Sequence, residues 1–137
     1  MRAAVRAVAT RVHVVAGSRV YETAPVGPPQ PDYLNAALLV ETDLAPEALL
    51  DALLAVEREL GRERRARWGP RVLDLDVLWI EGIAVDTPRL VVPHPHLRER
   101  AFALAPMLEL VPDARDPRTG EPYVVPPGDV RLTNASL

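Results

Sequence analysis

The sequence predicts an α+β domain in which helices pack on a mainly antiparallel sheet. Three observations lead there. Apolar segments alternate in kind along the chain, helical, extended, extended, helical, extended, helical, an order that suits helices laid on a sheet. The 137 residues fit one domain spanning 1–137, large enough to bury a core without staples. Hydrophobic residues make up 48% and charged residues 26%, near the globular average, which argues against disorder.

Each element has a local reason. Residues 2–11 read as an alanine-rich helix whose apolar side is Ala3, Val5, Ala7 and Val8. Val12, Val14, Val20 and Tyr21 predict an extended segment, interrupted near Gly17. Thr23 to Asp32 holds Gly27 and Pro25, Pro28, Pro29 and Pro31, so it predicts a loop. Tyr33 to Thr42 reads as a strand. Pro46 opens a helix where its missing N–H costs nothing, Leu49, Leu50, Leu53, Leu54, Val56 and Leu60 give it an apolar face, and Gly61 is the expected stop. Arg62 to Pro70 predicts a basic loop. Val72 to Ile80 predicts a strand, Glu81-Gly82 a turn and Ile83 to Val92 its hairpin partner. Leu97 to Leu110 predicts a helix that Pro106 should kink or end, and the proline- and aspartate-rich tail from Val111 is expected to be irregular.

Composition removes several chemistries. With no cysteine, disulfides, iron–sulfur clusters, thiolate zinc and cysteine nucleophiles are excluded. All 16 basic residues are arginine, so every positive charge is a planar guanidinium suited to forked contacts with phosphate or carboxylate. Net charge is −3, which argues against a nucleic-acid binder. No long apolar run appears, so no membrane partner and a cytoplasmic protein are expected. The absent lysine rules out a Walker-type phosphate loop.

The chemistry concentrates in Arg67 to Leu78. Asp74 and Asp76, two apart on an expected strand, share one face at roughly 6–7 Å spacing, while Leu73, Leu75 and Val77 fill the other. Two adjacent carboxylates repel unless a cation sits between them, and hard oxygen donors suit Mg²⁺, which shares its shell with substrate phosphates. An exposed polar face on an edge strand is the plainer alternative. Six of the sixteen arginines fall between Arg58 and Arg71, and Arg89, Arg98 and Arg100 follow. Such a cluster opposite paired carboxylates suits a polyphosphate–Mg²⁺ site, although Glu57, Glu59 and Glu63 could simply neutralise it. His94 and His96 lack a third ligand for zinc, which leaves a phosphate-facing histidine as the better functional reading. Trp68 could anchor a core or stack on a flat ring. Tyr33 and Asn35 share a strand face, and an Asn amide can both donate to and accept from a heterocycle edge.

Three stretches carry a family resemblance: Tyr21-Glu22-Thr23-Ala24-Pro25-Val26-Gly27, Pro31-Asp32-Tyr33-Leu34-Asn35-Ala36-Ala37, and Arg67 to Leu78, which reads RWGPRVLDLDVL. It continues through Pro88-Arg89-Leu90, Val92-Pro93-His94 and Arg100-Ala101-Phe102. The chain resembles the 6-hydroxymethyl-7,8-dihydropterin pyrophosphokinases of folate biosynthesis over about residues 20–110. The resemblance implies a ferredoxin-like α+β sandwich and transfer of pyrophosphate from ATP to the pterin hydroxymethyl group, giving AMP. Carried over by position, Asp74 and Asp76 bind two Mg²⁺ ions. Arg64 or Arg65, Arg71 and Arg100 face phosphate, with Glu57, Trp68, Val77, Arg89 and His94 at the nucleotide. The pterin lies between the faces of Trp68 and Phe102, edged by Thr23, Val26, Tyr33 and Asn35.

There are departures from the family pattern. This chain starts inside the expected first helix, so the family's first strand is expected to be missing. Leu54, Ala24, Val91 and Pro95 stand where other residue types are usual. A monomer is expected, or a dimer if a second chain supplies the strand. Two further readings follow: a catalytically inactive pterin- or nucleotide-binding paralogue, and an unrelated Mg²⁺-dependent nucleotidyl transferase that would release pyrophosphate.

Overall fold

The computed structural model describes residues 1–23, 33–67, 73–128 and 130–137, with the side chains of 62–67 outside the description. Its elements are those of an α+β fold: helices over antiparallel sheets.

Helix α1 (Arg2–Ala9) stops two residues short of the expected end, with Thr10 and Arg11 turning back onto the Ala7 and Val8 carbonyls. It buries Ala4 and Val8, one turn apart, while Ala3 faces solvent. Strands β1 (His13–Gly17) and β2 (Arg19–Thr23) follow one another with only Ser18 between them, and β3 (Tyr33–Asn35) and β4 (Leu38–Glu41) with only Ala36 and Ala37 between them. The ladders β1–β4 and β2–β3 are both antiparallel, so the four strands form one long hairpin with a break in its middle. Ser18 is fully buried at that break. Its N–H donates to the Ala37 carbonyl at 2.9 Å, its Oγ accepts from the Ala37 N–H at 2.9 Å, and the hydroxyl donates to the Arg19 carbonyl. A side-chain oxygen thus satisfies a donor that the ladder leaves over.

Helix α2 (Pro46–Arg67) overruns the expected stop at Gly61 and extends into the stretch read as a basic loop. Nothing crowds Gly61, and its flanking Glu and Arg residues are good helix formers, so propensity carries the helix on. Leu49, Val56 and Leu60 lie on one stripe of α2 and bury into a cluster with Ala4, Val8, Val12, Val77, Leu90 and Val92.

The expected strand over 72–80 is not formed by its described residues. Residues 73–79 carry no ladder, and Ile80 makes only an isolated bridge to Ile83. The side chains still alternate: Asp74 and Asp76 are exposed, Leu73 and Leu75 half-buried and Val77 buried. The chain is extended, as the sequence pattern demands, but a ladder needs a neighbour to exchange hydrogen bonds, and the described residues supply none there. The hairpin partner also shrinks, to β5 (Val85–Asp86) paired with β6 (Val91–Val92) around a turn in which Leu90 N–H reaches the Thr87 hydroxyl at 3.1 Å.

The Leu97–Leu110 helix is split into a 3-10 turn (Leu97–Glu99) and helix α3 (Ala101–Leu110). Pro106 sits inside α3 and does not end it. It is buried, and the helix loses only the bond that a Pro106 N–H would have made. Leu97, Leu104 and Met107 centre a second cluster with Ala114 and Tyr123, against which Leu78 and Trp79 pack.

The tail corrects the sequence reading most. Residues 130–136 form strand β7 (Val130–Ser136), antiparallel to β2, giving a three-stranded sheet in the order β3-β2-β7. Thr133 donates its hydroxyl to the Val20 carbonyl at 2.8 Å, and Leu137 N–H reaches the Ser18 carbonyl. A Cβ on Gly17 would lie 2.8 Å from the Leu137 Cβ, so the terminus fits only over a glycine.

Candidate active site

Four of the residues singled out from the sequence converge. Asp76 and Val77 from the extended segment, Arg89 from the β5–β6 turn and His94 after β6 line one cleft of about 260 Å³, together with Leu50, Thr87 and Leu90. Val91 and Pro95, two of the departures from the family pattern, line the same cleft. Asp74 is exposed on the same side of the chain as Asp76, as period-two spacing requires.

The unladdered segment is held by side chains and loops. Glu57 on α2 accepts the Leu75 N–H at 2.6 Å, midway between the two aspartates. His94 N–H donates to the Leu78 carbonyl at 2.9 Å, tying the next stretch to the loop after β6. Glu57, expected at the nucleotide, fixes through Oε2 the backbone that presents Asp74 and Asp76.

His94 is half-buried, and its pKa lies below the ordinary 6.5, first through burial and then through the nearby Arg100 charge, with Asp76 opposing. Its Nδ1 is placed to accept the His96 N–H at 3.3 Å. The neutral ring therefore carries its proton on Nε2, a donor available to an anion. The Arg89 guanidinium reaches Asp51 on α2, and the Thr87 hydroxyl donates to Glu47 at 2.8 Å. Helix α2 thus holds the turn that carries Arg89 at two points. Sequence reading missed Glu47, Asp51 and Thr87, because each acts across some forty positions of chain and none belongs to a local pattern. The Thr87-Pro88 turn pair was the one available signal.

The second group of expected residues gathers around β2, β3 and α3. Asn35 donates its amide to Thr23 Oγ1 at 3.2 Å, across the strand pair that also sets Thr23 opposite Tyr33. Tyr33 is 55% exposed and shares its strand face with Asn35. Phe102, in the first turn of α3, is 38% exposed, with the Arg100 guanidinium 5.7 Å from its ring centre. Because Arg100 also depresses His94, it links the Phe102 side to the cleft. Val26, Trp68 and Arg71 lie outside the described residues, as do the side chains of Arg64 and Arg65.

Among the described residues no group of three or more His, Asp or Glu could hold a metal by itself. Two exposed carboxylates side by side suit an ion that takes one or two protein oxygens and fills its shell from water and substrate phosphate, as Mg²⁺ does. The donor set therefore fits. No helix among the described residues is long and apolar enough to cross a membrane.

A family model described as 7,8-dihydro-6-hydroxymethylpterin-pyrophosphokinase matches residues 1–112. The chain belongs to this family. The match includes the Asp74–Asp76 pair, the β5–β6 turn and His94, and ends two residues past α3. Similar proteins include the 2-amino-4-hydroxy-6-hydroxymethyldihydropteridine pyrophosphokinases of Methylorubrum extorquens, 50% identical over 103 residues (74% of this chain and 65% of the relative), and of Pseudomonas aeruginosa, 50% identical over 105 residues (76% and 65%). The Synechocystis protein of that name is 42% identical over 104 residues, which are 76% of this chain and 53% of the relative. The chain thus spans about half to two thirds of the length of these pyrophosphokinases.

Proposed function

We propose that the chain carries out Mg²⁺-dependent transfer of pyrophosphate from ATP to the hydroxymethyl group of 6-hydroxymethyl-7,8-dihydropterin, releasing AMP, a step of folate biosynthesis in the cytoplasm. The observation that carries the reading is the convergence of Asp76, Arg89 and His94, with Val77, in one cleft of a chain that belongs to the pyrophosphokinase family. Residues 1–137 act as one domain in this reading, and the three antiparallel sheets of the described residues with their helices belong to a ferredoxin-like sandwich.

The substrate hydroxyl oxygen bonds to the β-phosphorus of ATP. The bond from that phosphorus to the α–β bridging oxygen breaks, AMP leaves with the oxygen, and the hydroxyl proton goes to water. Asp74 and Asp76 hold two Mg²⁺ ions, which when bound neutralise phosphate charge and polarise the transferring group. Glu57 keeps Leu75, and with it both aspartates, in register. Arg89, Arg100, Arg71 and Arg64 face phosphate oxygens, and His94 donates from Nε2. Positioning dominates, since such transfer leaves a protein little covalent chemistry to do. Trp68 and Phe102 cover the two faces of the pterin, while Thr23, Val26, Tyr33 and Asn35 meet its edge.

The test incubates the full chain with ATP, Mg²⁺ and the pterin and separates the nucleotide products. AMP formed only when pterin is present supports the reading. Release of inorganic pyrophosphate indicates the nucleotidyl transferase instead, and nucleotide or pterin binding without turnover indicates a silent paralogue.

A further inference from the structure

Glu109 occupies the last turn of α3, where the helix dipole disfavours a carboxylate. Its placement is nonetheless fixed by three donors from one strand. Oε2 accepts the Arg19 backbone N–H at 3.0 Å, while Oε1 accepts the Arg19 Nε–H at 3.1 Å and the Tyr21 hydroxyl at 2.6 Å. Burial by itself would raise the Glu109 pKa, but the bonds from Tyr21 and Arg19 outweigh it and hold the group below the ordinary carboxylate value. Burial and the Glu109 bond push the Tyr21 hydroxyl up, so it stays a donor.

The bonded strand is β2, which carries Thr23. Tyr21 pairs with Asn35 across the β2–β3 ladder, and Asn35 in turn bonds Thr23. At the opposite end of α3, about 10 Å along the axis from Glu109, stands Phe102. One carboxylate therefore joins the element bearing the aromatic wall to the element bearing the polar wall, and it does so outside both. Helix α3 also lies against β3, β4 and β7, and packed elements can slide past one another by small amounts.

We propose that Glu109 is a positioning residue for the pterin pocket: through Tyr21 and Arg19 it sets the offset between Phe102 on α3 and the Thr23–Asn35 edge on β2 and β3. The proposal rests on the pterin assignment above. It predicts that losing the bond loosens pterin binding and spares the nucleotide, whose cleft is built from α2 and residues 76–95. A purely structural clamp would lower stability without this split.

The experiment uses the full chain as wild type, Glu109→Gln, Tyr21→Phe and the double variant. Binding of 6-hydroxymethyl-7,8-dihydropterin is measured with a non-hydrolysable ATP analogue and Mg²⁺ saturating, binding of the analogue is measured separately, and melting is followed by circular dichroism. Each single variant should weaken pterin binding by about 5- to 10-fold, with analogue binding kept within about twofold and the double variant losing less than the two single effects combined, since both singles weaken the shared Tyr21–Glu109 bond. Unchanged pterin affinity in folded variants overturns the proposal, and so does a parallel loss of pterin and analogue binding. Should Glu109→Gln fail to fold, Tyr21→Phe, which deletes a single oxygen, decides by the same criteria. A wild-type chain that binds the analogue but no pterin overturns the pterin assignment itself, and the role of Glu109 falls with it.

Discussion

The two sides of the candidate site are held together by different means. On the nucleotide side, residues 73–79 carry no ladder, and single bonds set their place: Glu57 to the Leu75 N–H, His94 N–H to the Leu78 carbonyl, and Asp51 and Glu47 to the turn at 87–90. On the pterin side, Thr23 and Asn35 stand in a three-stranded antiparallel sheet with β7 along its edge and α3 across it. A ladder shares its load among many bonds, so one loss is absorbed. Residues 73–79 have packing and only a few hydrogen bonds to hold their backbone, so it shifts locally when one bond goes. In the proposed reading the carboxylates thus sit where the backbone can adjust to polyphosphate, and the pterin edge sits where the walls are fixed.

The largest effect expected is on chemistry. Asp76→Asn should lower turnover by about 100-fold or more, since one carbonyl oxygen replaces a charged ligand, while the exposed position leaves folding intact. Retention of most of the wild-type rate in a steady-state assay would remove Asp76 from the metal site. Next is Glu57→Ala, which deletes a charged acceptor and strands a backbone donor. It should cost about 1.5–3 kcal/mol in chemical denaturation and weaken binding of an ATP analogue, because both aspartates lose their register. The matching change on the other side is Thr133→Val, which removes the hydroxyl bond to the Val20 carbonyl at the edge of the ladder. It should cost about 1 kcal/mol and leave ATP-analogue affinity unchanged. Equal effects of the two substitutions on nucleotide affinity would erase the distinction between the sides.

The smallest effect separates the two through pH. Burial holds His94 below 6.5, the value it has when unfolded, so the unfolded chain binds more protons between the two values. This contribution to stability is complete above pH 6.5 and is lost as pH falls through 6.5 toward the folded value. Melting curves of the nucleotide-free chain should therefore fall more steeply on acidification than those of His94→Asn. Parallel curves would show that His94 is not held neutral.

What could be read from the sequence follows the range of the forces involved. Asp74 and Asp76 announced their shared face because period two is a local property, and the alternation survives although the strand does not form. Whether a ladder forms depends on a neighbour far away in sequence, which no local pattern specifies. Gly61 looked like a stop, but glycine ends a helix only where the chain turns into the left-handed region, and here it does not. The tail was misread for the opposite reason. Its prolines and aspartates dominate 112–127, and the short run around Leu132 and Thr133 gains its strand from the edge of β2 rather than from propensity. Glu57 was found as a residue but its bond to the Leu75 N–H was not, since a backbone partner cannot be seen in side-chain spacing. Glu109 carried no signal beyond a carboxylate at the wrong end of a helix.

The proposed chemistry requires the cleft of Asp76, Arg89 and His94 to be the nucleotide end of the site. Titrating the isotope-labelled chain with a non-hydrolysable ATP analogue and Mg²⁺, and following backbone amide resonances, addresses that directly. The amides of Leu75 to Leu78, Thr87 to Leu90 and His94 should shift together and saturably, with those of 130–136 on β7 nearly still. Shifts concentrated on β7 and β2 while the 75–94 amides stay in place would put the nucleotide elsewhere and contradict the assignment.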